Sequence, residues 1–314
     1  MKKSPLFVKK CPLSVKKSPL SVKKCPLLKG NYTMGRTDRT IVVHNDFREA
    51  PIGELSATCQ NVLWTILYAI KDKNIDELKK QGRTDITVPI DTIISLSQYQ
   101  RGKYEIYKEI EKITEAMTRF RVRFSTDKEE GTLVPFPLIT HTKDYSEVHI
   151  AVMREFAYIV DYVFTHGNFS KIRLQEINGL KSKYAKIAYY YLSTYKDTGV
   201  WSVGYNEFVR IMGIPKDYKP KDIRRRIIDP ICKELAPYFS CFQYFEETGK
   251  RRRIERLLFV FEPPKRTIRG DVMRQEQLKQ LTGGTWCKRI METERNHEGG
   301  FFYKDADYES EFPF

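Results

Sequence analysis

Two like modules of mixed α and β structure, flanked by tails, are the α+β fold class that this 314-residue sequence predicts. Three observations predict it. Apolar spacings of three and four alternate with spacings of two in the order helix, strand, helix, helix, hairpin, and that order occurs twice between residues 51 and 262. The second occurrence ends in a helix and a hairpin that are both strongly basic. Outside residues 34–262 the periodicity fails, in a lysine-rich repeat at one end and beyond Pro263-Pro264 at the other.

The first module opens after a segment, 34–50, that reads as an N-terminal arm with the apolar run Ile41-Val42-Val43. Leu63, Ile66, Leu67 and Ile70 then form one helical stripe. Ile86 to Pro89 reads as a short strand and Asp91 to Leu96 as a short helix. Gly102 precedes a long helix in which Ile106, Ile110, Ile113 and Met117 share a face. Arg119 to Phe124 alternates like a strand, Lys128 to Gly131 is a turn, and Leu133 to Thr140 and Val148 to Val152 supply further strands. Arg154 to Phe164 is expected to be a helix whose apolar residues exceed what one small core needs, which suits a neighbouring domain or subunit. The order is that of a winged helix, placed at 51–165.

The pattern restarts in 166–262. Lys181 to Tyr195 predicts a helix with Tyr184, Ile187, Ala188, Tyr191 and Tyr195 inward. Trp201 to Val203 is a strand and Asn206 to Met212 a short helix, and Gly213-Ile214-Pro215 turns the chain into the stretch on which the reading turns. Pro220 suits a first helical position, because its fixed φ is helical and its missing N–H is not needed there. Asp222 complements the positive end of the helix dipole. Ile223, Ile227, Ile231 and Leu235 recur every four residues and must be buried, which leaves Arg224 and Arg225 on the other side. Pro230 implies either a bend near Asp229 or a stop there and a second short helix. Phe239 to Glu246 and Arg251 to Phe261 are two strands around a Gly249 turn, tipped by Lys250, Arg251, Arg252 and Arg253. An arginine-bearing helix with a cationic hairpin at its side is how a winged helix meets duplex DNA, helix in the major groove and wing on the backbone.

Charge agrees with that patchwork. Of the net +15, residues 1–29 contribute nine lysines and no acid, which leaves +6 for the remainder, gathered in patches that favour a polyanion. The six cysteines form no CxxC pair, which argues against zinc fingers and fits a reducing, cytoplasmic setting. Val62 to Ile70 is too short an apolar run to cross a bilayer, and no membrane partner is expected. The five histidines include no metal-binding pair and no GxxxxGK[ST] sequence exists, so neither a metal-dependent nicking enzyme nor a P-loop ATPase is expected, and no catalytic residue, metal or cofactor is assigned.

Residues 1–33 hold four seven-residue units, KKSPLFV from Lys2, KKCPLSV from Lys9, KKSPLSV from Lys16 and KKCPLLK from Lys23. A proline in every unit forbids a coiled coil, and disorder is expected. Three readings stand: simple low complexity, a basic arm adding nonspecific DNA affinity, or translation through repeated DNA sites of twenty-one base pairs, with Met34 as the alternative initiator. The 263–314 tail is expected to be disordered, with a partner-binding role open.

Several segments, namely Leu180-Lys181-Ser182-Lys183-Tyr184-Ala185, Tyr189 to Leu192, Met212 to Pro215, Tyr218, Arg224 to Ile231 with Lys233-Glu234, and Gly249-Lys250-Arg251 closing in Phe259-Val260-Phe261, resemble the tandem winged-helix replication initiators of iteron-bearing plasmids. The first module resembles them less specifically, through Leu55-Ser56 and Gly102 to Glu105. The resemblance covers about Ile41 to Glu262, and with Pro230 in its pattern it implies a bend near Asp229 rather than a helix end. It implies a non-enzymatic protein of double-stranded DNA, whose second module reads each iteron through Lys219, Lys221, Arg224, Arg225 and Arg226 with Lys250 to Arg253 as wing. The first module would contact backbone, with Lys103 and Lys108 its candidates, and mediate dimerisation. It further implies monomers in equilibrium with homodimers, origin opening, recruitment of the host replicative helicase and host initiator, copy control, and autorepression at an operator. A transcriptional repressor using the same fold, without initiator activity, remains the rival reading.

Overall fold

The computed structural model describes residues 39–71, 83–125, 130–153, 169–249 and 253–263. The expected tails, the helix at 154–164 and the side chains of Lys250, Arg251 and Arg252 lie outside these residues.

Ile41, Val42 and Val43 sit in a strand, β1 (Thr40–His44), whose branched side chains are buried. β1 pairs antiparallel with β7 (Phe169–Arg173), so the segment read as an arm is stitched across the chain to the start of the second half. Two 3₁₀ turns, Asn45–Glu49 and Ile52–Glu54, lead into α1 (Ala57–Lys71). β2 (Arg83–Pro89), α2 (Ile90–Ser97) and α3 (Lys103–Arg119) follow. Ile106, Ile110, Ile113 and Met117 of α3 are buried as their spacing predicts. β3 (Val122–Ser125) pairs with β4 (Glu130–Leu133), and Arg119, expected in the strand, belongs to the helix. β5 (Leu138–His141) and β6 (Glu147–Met153) complete a three-stranded sheet of order β2-β6-β5.

The second half repeats the plan. α4 (Leu174–Gly179), α5 (Lys183–Thr194), β8 (Val200–Gly204) and α6 (Tyr205–Ile211) precede the basic helix, and β9 (Gln243–Thr248) and β10 (Ile254–Val260) form the hairpin in the order β8-β10-β9. The first hairpin strand begins later than its aromatic pattern suggests, because Phe239 is spent on the core beside Tyr189 and Phe261. These are two tandem winged-helix modules.

α5 differs from its single predicted stripe. Tyr189, Tyr190, Leu192, Ala185 and Lys186 are buried as well as Ile187, Ala188 and Tyr191, whereas Tyr184 and Tyr195 are half-buried. The reason is position: α5 packs on β7, α1, α4 and the basic helix together, and a helix enclosed on all sides carries no polar face. Its Tyr190 ring lies 5.3 Å from Trp64 of α1, and Phe47 bridges Trp64, Phe120 and Tyr190 at 5.7–6.4 Å. One core therefore runs through both modules.

Two glycines set how the halves meet. Gly213, at φ +57° in the turn after α6, lies against Gly53 of the second 3₁₀ turn so closely that a Cβ at Gly53 would come 2.7 Å from the Gly213 nitrogen. Lys183 Nζ donates to the Gly53 carbonyl at 3.0 Å, and Tyr191 Oη donates to the Arg48 carbonyl at 3.0 Å. Among the described residues, no helix is long and apolar enough to cross a membrane.

Candidate nucleic-acid interface

The basic helix, α7, spans 220–235 as Pro220–Ile223, a π turn Arg224–Ile228 and Asp229–Leu235, with helical dihedrals at both joints. Ile223, Ile227, Ile231 and Leu235 are all buried. Pro230 neither ends the helix nor starts a second one. The π turn explains how. A proline ring collides with the carbonyl four residues back and offers no N–H to it. Here the Asp229 N–H bonds the Arg224 carbonyl five residues back, so the backbone widens just ahead of Pro230. A π turn holds more residues per turn, so the consecutive Arg224, Arg225 and Arg226 fan over a narrower arc than in an α-helix.

Each arginine has a different anchor. Arg224, half-buried, lies over the Tyr244 ring of β9 with its guanidinium carbon 5.9 Å from the centroid, which ties the helix to the wing strand. Arg226, exposed, stacks on Tyr218 at 5.3 Å and donates to its hydroxyl at 3.4 Å. Arg225, also exposed, faces Asp222 at 3.7 Å. Ring faces hold a guanidinium without cancelling its charge, and an exposed ion pair at that distance is weak. Lys219, at the N-cap, and Lys221 are exposed. Burial, the largest effect, pushes the Tyr244 hydroxyl well above the ordinary tyrosine range, with Arg224 opposing, so the ring under Arg224 stays neutral.

The wing loop is closed by the Gly249 N–H, which donates to the Arg253 carbonyl at 2.9 Å, and Arg253 is exposed. A side chain at Gly249 would collide with the Glu255 carboxylate. In the first module, Lys103 is paired with Asp91 at 2.7 Å, and Lys108 with Glu105 at 3.2 Å while lying over the Tyr104 ring. Tyr104 is 59% exposed at the start of α3, beside Tyr145.

Behind the surface, contacts explain two of the sequence segments. Glu234, on the last turn of α7, accepts from the Lys181 N–H at 2.7 Å and the Ser182 N–H at 3.2 Å, and so caps the N-terminus of α5. Lys186, 1% exposed, donates to the Ile177 and Asn178 carbonyls at 2.6 and 3.3 Å and caps α4 from the other end. Desolvation lowers its pKa to about 7, against an opposing pull from Glu234. That two tyrosines lie beneath the arginines is not legible in the sequence. Tyr218 is visible in sequence just before the helix, but Tyr244 meets Arg224 only through the fold. His141 packs on Tyr107 and Tyr145, and His149 bonds Thr87, both structural roles. Among the described residues, no cluster of His, Cys, Asp and Glu could hold a metal.

Fold and cationic face together define a tandem winged-helix protein with one helix whose exposed face is strongly basic. Two family signatures match in succession, "Initiator Replication protein, WH1" over residues 40–193 and "Initiator Rep protein, WH2" over residues 205–261. The chain belongs to the initiator replication protein family. A curated relative, "Probable replication protein rep" of Bifidobacterium longum (strain NCC 2705), is 27% identical over 158 residues, 48% of this chain and 52% of its own length, so the chain spans about half of that relative. Among solved structures, "Crystal structure of Pi initiator protein in complex with iteron DNA" aligns with a TM-score of 0.53 over 72% of this chain and 98% of that one. At 13% identity that likeness is one of fold.

Proposed function

We propose that this protein initiates plasmid DNA replication by binding repeated duplex sites at an origin, with α7 in the major groove, the β9–β10 wing on the backbone, and the first module on adjacent phosphates. The observation that carries the reading is the cluster Arg224, Arg225 and Arg226 on a π turn, with Arg224 and Arg226 held by tyrosine faces that leave their charge available and Arg225 exposed beside Asp222. Family membership and the fold shared with an initiator solved on iteron DNA support it. Binding energy from several bound copies is then available to distort the neighbouring AT-rich duplex and expose it to the host helicase and host initiator. The monomer does this work, and the homodimer represses the protein's own gene at an operator. Domain limits follow the two repeats, 51–165 and 166–262, between an arm and tails.

The test is replication in trans. A plasmid lacking its own initiator gene should replicate when this gene is supplied, and a footprint should show repeated protected sites. Repression of the promoter without replication would establish the repressor instead.

A further inference from the structure

The seven-residue repeat at residues 2–29 is not absorbed by either module. Its period corresponds to twenty-one base pairs of coding DNA, two turns of duplex at about 10.5 base pairs each. We infer that the DNA encoding this repeat, rather than the peptide, is its functional product: codons 2–29 are an array of four binding sites for the protein itself. This inference rests on the DNA-binding reading above and locates its ligand.

Three observations converge on it. First, sites repeating every two turns present the same face of the duplex, so bound copies line up along one side. Each repeat also offers two major-groove segments one turn apart, one for each of the two winged-helix modules in a single chain. Second, the variation at two positions of the unit is of a kind that single-base changes produce, while the seventh runs Val8, Val15, Val22, Lys29. The third position alternates Ser4, Cys11, Ser18, Cys25, and the sixth runs Phe7, Ser14, Ser21, Leu28. Serine and cysteine codons can differ by one base, as can those of phenylalanine, serine and leucine, yet an aromatic, a hydroxyl and an aliphatic side chain share no packing role. Third, the units keep their frame without a break over all four copies, although each carries a proline, a residue that a helical heptad would not keep.

The deciding experiment changes the DNA without changing the protein. The full-length chain is footprinted on a duplex of codons 2–29 in native sequence, and on one recoded synonymously to the same amino acids. The inference expects four protections spaced by twenty-one base pairs on the native duplex, and affinity on the order of a hundred-fold weaker on the recoded one. Equal affinity for the two overturns it. So does binding that falls when the repeat's lysines become glutamine yet ignores recoding, since that marks a basic arm. Footprinting the DNA flanking the gene separates the two levels: specific sites elsewhere only would overturn this inference and leave the initiator reading standing, whereas no specific site anywhere overturns both.

Discussion

α3 of the first module and α7 of the second occupy the same place in their winged helices, and most of their charges are handled differently. α3 carries four cations and four carboxylates, and every cation is paired: Lys103 with Asp91, Lys108 with Glu105, Lys112 with Glu109, Arg119 with Glu54. α7 carries five basic and three acidic residues, and two of its arginines rest on rings instead of carboxylates. One fold thus yields a helix with no net charge and one with a net charge of +2 whose arginines are clustered. An arginine on a ring keeps its donors and charge for a phosphate or a base edge, whereas a lysine in an ion pair must first give up its partner.

Removing charge from each helix is the strongest way to break that comparison. Replacing Arg224, Arg225 and Arg226 with alanine should lower specific affinity by two to four powers of ten, at about 1–3 kcal/mol per base-reading contact. The matched triple at Lys103, Lys108 and Lys112 should lose about ten-fold or less, equally for all sequences. Anisotropy titrations on cognate and scrambled duplexes decide it, and equal losses would erase the distinction.

The turns before the two helices sharpen it. Gln98 and Gly213 both have φ +57°, but Gln98 ends α2 with its N–H on the Ile94 carbonyl, while Gly213 abuts the Gly53 backbone. Gly213→Ala should cost about 2 kcal/mol or more, from left-handed strain plus the collision, whereas Gln98→Gly should stay within about 1 kcal/mol. Urea unfolding of both variants checks the difference.

Single changes then separate reading from gripping. Arg225→Ala should cost about 1–3 kcal/mol and relax specificity at one base pair, and a uniform loss would reassign it to phosphate contact. Arg252→Ala should weaken all sequences alike and reduce the salt slope by about one unit.

The smallest effect concerns the buried cap behind α7. With its pKa lowered to about 7, Lys186 is less protonated in the folded chain than in the unfolded one between there and 10.5. Folding therefore carries a penalty that is full below about pH 7 and fades as pH rises. Lys186→Met should lose the two carbonyl hydrogen bonds at every pH, and it should also flatten the rise in stability seen in the parent from pH 7 to 10. Parallel melting curves across that range would contradict the assignment.

Much of this was legible locally. The four-residue recurrence of Ile223, Ile227, Ile231 and Leu235 specified which side of α7 is buried, and Pro220 marked its start. The stripe on α5 was legible only in part, because periodicity reports one face and cannot count how many neighbours enclose a helix. At Pro230 the resemblance implies a bend over a stop but does not foresee the π turn, since all three answer the same missing N–H.

What the sequence determined by itself is the order of elements, the apolar stripes, the clustering of arginines and the period of the terminal repeat, all properties of residues within a turn or two of one another. Tertiary structure alone decided that β1 closes on β7, that Gly53 meets Gly213, that Glu234 caps α5, and that Tyr244 lies under Arg224. Such pairs are brought together by the shared core across long stretches of chain, and no local pattern records which distant residue will arrive.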